Sequence, residues 1–236
     1  MSFYSDFAGF YEAVFPFEET TYAFLREHAP AGARRVLDVG CGTGDYAAAF
    51  VNDGLEAVGI DYDLEMIEVA RARRLGPAFH VMDARDVARL DATFDMAFSI
   101  GNVVSHLEQD AVPAFLEGVR GLLERSGVWI LQVVNWDYIL QRRSYRFPDV
   151  VVGDGRVVFS REYPEVSGDR LRFVTRLARG ETTLVEGEVW LHPLTASACL
   201  KLHAKTGFEF LGHYADFRST PFDPGVESSS VYVFRN

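Results

Sequence analysis

The run Val36-Leu37-Asp38-Val39-Gly40-Cys41-Gly42-Thr43-Gly44-Asp45 constrains this chain more than any other part of it. Apolar residues around Asp38 predict the end of a buried parallel strand. Three glycines at alternate positions predict a tight turn, and Tyr46–Val51 predicts the start of a helix. Glycine is required where a side chain would hold the backbone away from a ligand or forbid a positive φ. A strand, a glycine turn and a helix in succession deliver free backbone N–H groups at the positive end of a helix dipole, which makes a ligand site.

Strand and helix patterns then alternate, the signature of a parallel sheet covered on both faces. Strands are predicted at Arg35–Val39, Glu56–Ile60, Ala78–Met82, Phe94–Ile100 and Val128–Val134. Helices are predicted at about Asp45–Asn52, Leu64–Arg74 and Ala111–Arg125. Upstream, Phe3 to Phe17 carries aromatics every three to four residues and predicts an amphipathic helix broken at Pro16. A second helix is predicted from Glu18 or Glu19 to His28. After Asn135 the texture changes. Runs at Val150–Val152, Arg156–Tyr163, Arg170–Ala178 and Thr182–His192, separated by turn signals such as Asp154-Gly155 and Ser167-Gly168-Asp169, predict an antiparallel meander. A helix at Thr195–Thr206 and strands at Phe208–Phe217 and Ser229–Arg235 complete the pattern. The expected organisation is 1–135 as N-terminal helices and ligand-binding core, 136–193 as inserted strands covering a substrate, and 194–236 as the last helix and strands of the core sheet.

Bulk properties narrow the function. No stretch approaches about 18 uninterrupted apolar residues, so no transmembrane helix is expected. The first residues lack the basic region and apolar core of a secretory signal. With two cysteines, one inside the glycine turn, neither a disulfide framework nor a thiolate zinc site is expected. These features predict a cytoplasmic protein without membrane partners. A net charge of -11, with Lys201 and Lys205 as the only lysines, disfavours a nucleic-acid partner, whose phosphates call for clustered cations. A small-molecule substrate fits better, and a homo-oligomer is compatible with this reading.

The glycine spacing distinguishes between ligands. A dinucleotide turn would show Gly-x-Gly-x-x-Gly, but the glycines here are Gly40, Gly42 and Gly44, with Asp45 where the third dinucleotide glycine would stand. Asp38 would repel a pyrophosphate and welcome an ammonium. The methionine end of S-adenosylmethionine carries both an ammonium and a carboxylate, so it suits this mixed setting. The run resembles the first motif of the class I S-adenosylmethionine-dependent methyltransferases. That resemblance, firm over Val36–Val134, implies an α/β fold: a Rossmann-like, doubly wound, mostly parallel seven-stranded sheet, with the antiparallel meander inserted after strand 5.

Ligands of such sheets lie beyond the carboxyl ends of the strands, at the switch point of strand order. Asp38, Gly40, Cys41, Gly42 and Gly44 are expected at the methionine end of the cofactor. Asp61, 21 positions after Gly40, is expected to accept both ribose hydroxyls. Tyr62 and Met66 would flank the adenine, with helix core as the other reading of Met66. The resemblance implies that Asp83 and the N–H of Ala84 hold the adenine edge. Ser99, Gly101 and Asn102 would line the floor beneath the sulfonium.

A second likeness goes further. Phe98-Ser99-Ile100-Gly101-Asn102-Val103-Val104-Ser105-His106-Leu107 resembles the Gly-Asn-Ser-x-x-His-Leu stretch of glycine and sarcosine N-methyltransferases, with Val103 in place of the family serine. Val134-Asn135-Trp136-Asp137-Tyr138 is similar to their Asn-Tyr-Asp stretch after strand 5. The likeness implies methyl transfer to a small molecule, an amine nitrogen first. A metal-free O-methyltransferase or a non-catalytic cofactor-binding regulator are the alternatives. His106 is a candidate proton acceptor, and the likeness makes Asn135 a catalytic and substrate-contacting candidate. Arg172 or Arg176 would pair a substrate carboxylate unless both lie on a solvated strand face. Tyr4, Tyr11 and Tyr214 are candidate pocket walls. His192, His203 and His213 share no ligand spacing, so no metal is expected.

Overall fold

The computed structural model describes residues 10–153 and 155–236. The predicted helix over Phe3–Phe17 falls partly outside this range, and its described part holds a single α-helical turn, α1 (Tyr11–Val14). The chain continues as α2 (Glu19–His28), β1 (Arg35–Val39), α3 (Asp45–Asn52), β2 (Glu56–Asp61), α4 (Leu64–Arg73) and β3 (Ala78–Val81). β4 (Phe94–Ser99), α5 (Val112–Leu122) and β5 (Leu123–Val134) follow. Three local features escaped the periodicity. Short 3₁₀ turns follow β3 (Ala84–Arg89) and β4 (Val103–His106), and β5 begins five residues earlier than its apolar run.

Seven strands form one sheet in the order β3-β2-β1-β4-β5-β12-β11, where β11 is Glu209–Tyr214 and β12 is Ser229–Arg235. The first five pair in parallel, and β12 runs antiparallel to both β5 and β11. Strand order reverses between β1 and β4, so their carboxyl ends diverge and leave a crevice. The alternating side chains of these strands feed a core layer on each face. One layer joins Leu37 and Val39 to Phe115, Leu116 and Val119 of α5. The other joins Val36 to Phe24 and Leu25 of α2, Phe50 of α3 and Ile67 of α4. Asp63 starts α4 by accepting from the N–H groups of Glu65 and Met66 at 3.0 and 3.2 Å, a side-chain cap that replaces missing intrahelical partners.

A second, antiparallel sheet is built from β6 (Tyr145–Arg146), β7 (Val150–Val152), β8 (Val157–Tyr163), β9 (Leu171–Arg179) and β10 (Thr182–Leu191). α6 (Trp136–Ile139) leads into it from β5, and α7 (Ala196–Thr206) leads back to β11. Strand alternation gives it two faces. Val157, Phe159, Tyr163, Leu171, Thr175 and Leu177 are buried, whereas Arg172, Arg176, Glu186 and Glu188 are exposed. Val14 and Tyr11 of α1 pack with Val152, Val157, Phe159 and Leu177, tying the second sheet to the segment that approaches the glycine turn.

Candidate active site

The turn after β1 is possible only with glycine. Gly40, Gly42 and Gly44 have φ of 79°, 52° and 80°, in the left-handed region. A Cβ on Gly40 would stand 2.4 Å from Val103 Cγ2, and one on Gly44 would stand 2.4 Å from Phe79. The expectation of free donors is corrected here. Gly40 and Cys41 donate their N–H groups to the Ile60 carbonyl at 2.8 and 3.0 Å, and Gly44 donates to Cys41 at 2.9 Å. Gly42 donates to Asp61 at 3.0 Å. The glycines therefore supply close approach rather than open donors.

What the turn leaves open is negative charge. Asp38 is 2% exposed, lines the cavity described below, and takes no hydrogen bond from a described residue. Burial, together with Asp61 and Asp45, holds its carboxyl well above the usual carboxylate range. A buried carboxylate without a partner is costly and calls for a cation. The ammonium and sulfonium of S-adenosylmethionine meet that demand, so the residues present fit this cofactor.

A cavity of about 650 Å³ opens from the turn into the space beneath the second sheet. Asp38, Gly40, Cys41, Thr43 and Asp45 line it on one side. Gly101, Asn102, His106, Gln132 and Val134 form its floor, and Phe147, Phe159, Arg161, Tyr163, Phe173 and Thr175 its roof. Tyr11 closes a flank, its ring 3.1 Å from where a Cβ on Gly42 would lie. At the cavity wall Tyr145 donates a short hydrogen bond to Glu227.

The floor is fixed by side chains reaching across β4 and β5. Gln132 accepts the Gly101 N–H at 2.6 Å, and Asn102, at φ 67°, accepts from the Ser105 hydroxyl at 2.8 Å and the Val134 N–H at 3.2 Å. Trp136 donates in turn to Ser105 at 3.0 Å. Asparagine tolerates the left-handed conformation this turn needs. His106 is pushed down to about 4 by burial, so its imidazole is neutral near pH 7.

The adenosine half of the expected site lies outside the enclosed cavity, at the ends of β2 and β3. Tyr62 is 50% exposed there. Asp61 is half-buried, and Ala84 opens the 3₁₀ turn. The Asp83 carboxylate is clasped by Arg85 at 2.7 and 2.9 Å, which holds it below its ordinary range. That pair is exposed, so exchanging it for a ligand contact would cost little. Met66 is buried at 2% on α4, the core reading of that residue.

Several expected contacts take other roles. Ser99 is fully buried and donates to the Val39 carbonyl at 2.9 Å, a tie between β4 and β1 rather than a cofactor contact. Asn135 is 1% exposed. It accepts from the Tyr138 N–H at 3.1 Å and donates to the carbonyls of Asp223 and Val226 at 3.0 and 2.9 Å, clamping the loop before β12. Its polar atoms are spent on the fold, so it is no open substrate ligand. Arg172 pairs with Glu188 at 3.0 Å and Arg176 bonds Thr183 at 2.9 Å, both on the outer face of β9. They point away from the roof because odd-numbered neighbours such as Phe173 and Thr175 take the inner face. Tyr214 packs against Phe24 at 5.5 Å between ring centroids and does not line the cavity. Tyr4 lies outside the described residues.

Arg161, Glu227 and Gln132 were missed. Arg161 alternates in sequence with Val157, Phe159 and Tyr163, and a charge in step with an apolar strand face is a signal of a buried charge. Gln132 interrupts the apolar run of β5 in the same way. Glu227 had no local signal, since only the folded loop brings it to Tyr145.

A doubly wound sheet that presents a glycine turn and unpaired acid to a covered cavity at its switch point defines a nucleoside-cofactor enzyme of the Rossmann-like class. Residues 36–127 match the methyltransferase domain family. Glycine/sarcosine N-methyltransferase of Aphanothece halophytica is 27% identical over 216 residues, covering 83% of this chain and 73% of that protein. An S-adenosylmethionine-dependent methyltransferase structure from Clostridium acetobutylicum ATCC 824 superposes with a TM-score of 0.80 at 16% identity, covering 98% of each chain. An amino pentose methyltransferase from Micromonospora echinaspora, solved with S-adenosylmethionine bound, gives a TM-score of 0.72 at 21% identity over 92% of this chain and 89% of that one. The domain match, the relatives and the solved structures together support a class I S-adenosylmethionine-dependent methyltransferase with S-adenosylmethionine as its cofactor. No helix among the described residues is long and apolar enough to cross a membrane.

Proposed function

We propose that the enzyme methylates the nitrogen of a small amine. The observation that carries this reading is the neutral His106 on the floor of the one cavity that joins Asp38 to the aromatic roof. When bound, S-adenosylmethionine supplies a methyl group on a sulfonium, already a good leaving group. The protein must then align a nucleophile and exclude water. A hydroxyl acceptor needs a strong base to become nucleophilic. A neutral amine already has its lone pair and needs only to be held in line. A buried imidazole that resists protonation suits that task, accepting a hydrogen bond from the amine N–H without claiming its proton. Methyl transfer to the amine would leave the S–CH₃ bonding electrons with the departing thioether and would make the acceptor nitrogen an ammonium, whose surplus proton would pass to water on product release.

In this reading Asp38 receives the cofactor ammonium, Asp61 the ribose hydroxyls, and Asp83 with the Ala84 N–H the adenine edge. Gly101 and Asn102 form the floor under the reacting methyl. The Aphanothece halophytica and Micromonospora echinaspora relatives, by their names, act on small amine-bearing molecules, which supports an amine here. Methyl transfer from labelled cofactor to panels of small amines, small alcohols and phenols, RNA and protein tests the proposal. Label in the amines is expected. Label only in hydroxyl compounds or macromolecules overturns it, as does saturable cofactor binding with no transfer to any member.

A further inference from the structure

The roof of the cavity carries one feature that methyl transfer to an amine does not require. Of the β8 and β9 residues that line the cavity, namely Phe159, Arg161, Tyr163, Phe173 and Thr175, Arg161 alone is charged. Its guanidinium lies 5.0 Å from the centroid of Phe147, 5.6 Å from Phe15 and 5.7 Å from Phe159. Aromatic rings satisfy the faces of a guanidinium, but its five N–H donors lie in its plane and need oxygen. No described residue offers one. No carboxylate of the described residues comes within ion-pair distance, and Nε is buried with no hydrogen-bond partner among them. Burial lowers its proton affinity, as expected for a cation held in an apolar wall. A half-buried arginine whose Nε has no partner is unfavourable for stability, so its presence in a ligand cavity points to an anion that arrives with the ligand.

The walls specify the rest of that ligand. Phe15, Phe147 and Phe159 surround the arginine, and Tyr163, Phe173 and Leu191 continue the apolar lining of the cavity. A two-carbon amino acid would bring a carboxylate but would leave these rings facing water, forfeiting the apolar burial that drives binding in such pockets. We infer that the acceptor is an amino acid-like amine with an apolar body larger than that of glycine, its carboxylate held by Arg161 and its body by the roof aromatics. This inference rests on the amine reading and narrows it to a substrate class.

The test uses the full chain with S-adenosylmethionine and four sets of acceptors. These are phenylalanine, tyrosine and leucine; glycine and sarcosine; the decarboxylated amines of the larger acids; and their 2-hydroxy acid counterparts. The larger amino acids are expected to exceed glycine and sarcosine at least tenfold in kcat/KM, and their decarboxylated forms to fall at least a hundredfold, chiefly through KM. Arg161→Met is expected to bring acid and decarboxylated amine within a few-fold of each other while cofactor affinity is unchanged. Its Tm is expected to hold or rise, because a half-buried cation whose Nε lacks a partner is replaced by an apolar chain. A structural arginine would instead lose Tm. Arg161→Lys, which keeps the charge but not the fork, is expected to recover part of the preference. Equal use of decarboxylated amines by the wild type, a preference for glycine, or an Arg161→Met enzyme that melts lower yet keeps the acid preference overturns the inference. Transfer to the 2-hydroxy acids in place of the amino acids would sink the amine reading and leave the carboxylate anchor standing.

Discussion

Asp61 accepts the backbone N–H of Gly42 at 3.0 Å through one carboxylate oxygen, while its other oxygen accepts the N–H of Asp63 at 3.0 Å. The end of β2 thereby holds the shape of the turn that follows β1. Each carboxylate oxygen retains a further acceptor site, so the same group can hold the turn and a ribose.

Asp61→Ala is therefore expected to act twice. It leaves two backbone donors without partners, a loss of about 1–3 kcal/mol in unfolding free energy. It also weakens cofactor binding at least tenfold. Denaturant titration and calorimetry measure the two separately. Unchanged cofactor affinity would remove Asp61 from the binding site.

Asp38 has the opposite sign on stability. Its carboxyl is raised in the folded state, so the folded protein binds more protons than the unfolded one as pH climbs past the ordinary carboxylate range. Stability is lost over that climb, and the ionised form is a liability at neutral pH until a cation arrives. Asp38→Asn should raise the Tm of the cofactor-free protein and lower cofactor affinity by more than tenfold. A lower Tm together with unchanged affinity would refute this account.

His106 makes a statement about pH dependence. Its value of about 4 leaves it neutral from pH 5 upward, so no inflection near the ordinary histidine value of 6.5 should appear in kcat/KM. The profile should instead rise with pH until the ammonium of the acceptor has lost its proton. A series of acceptors with different amine pKa values checks this, because the inflection should move with the acceptor. An inflection fixed near 6.5 across the series would show histidine acting as a base.

Asn135 should behave as part of the fold. Asn135→Asp places a carboxylate against the carbonyls of Asp223 and Val226, and about 2–3 kcal/mol of unfolding free energy should be lost. Ser228 of the same loop and Ser229 at the start of β12 line the cavity, so acceptor KM should rise in step with loop disorder rather than independently of it. Hydrogen exchange over residues 223–229 reports the loop directly. Normal stability with a large rise in KM would restore the substrate-contact role.

Much of the framework was legible in the sequence because it follows from neighbours in the chain. Hydrophobic period located β1, α3 and β12 at their observed ends, and glycine spacing located the turn. Asp38 and Asp61 could be placed because a strand end fixes what stands beside it. The antiparallel cover was visible as alternation broken by turn signals.

Tertiary structure decided which of those residues face the ligand and which serve the fold. Ser99 and Asn135 sit at strand ends where a site was expected, yet partners distant in sequence, Val39 and the loop at Asp223–Ser228, use their polar atoms. Arg172 and Arg161 are both strand arginines. Only the packing of the second sheet over β4 and β5 turned Arg161 inward and Arg172 out to Glu188. Local spacing sets the conformation of a segment and the order of its side chains. The cavity, its unpaired charges and its choice of acceptor arise only where segments far apart in the chain desolvate one another.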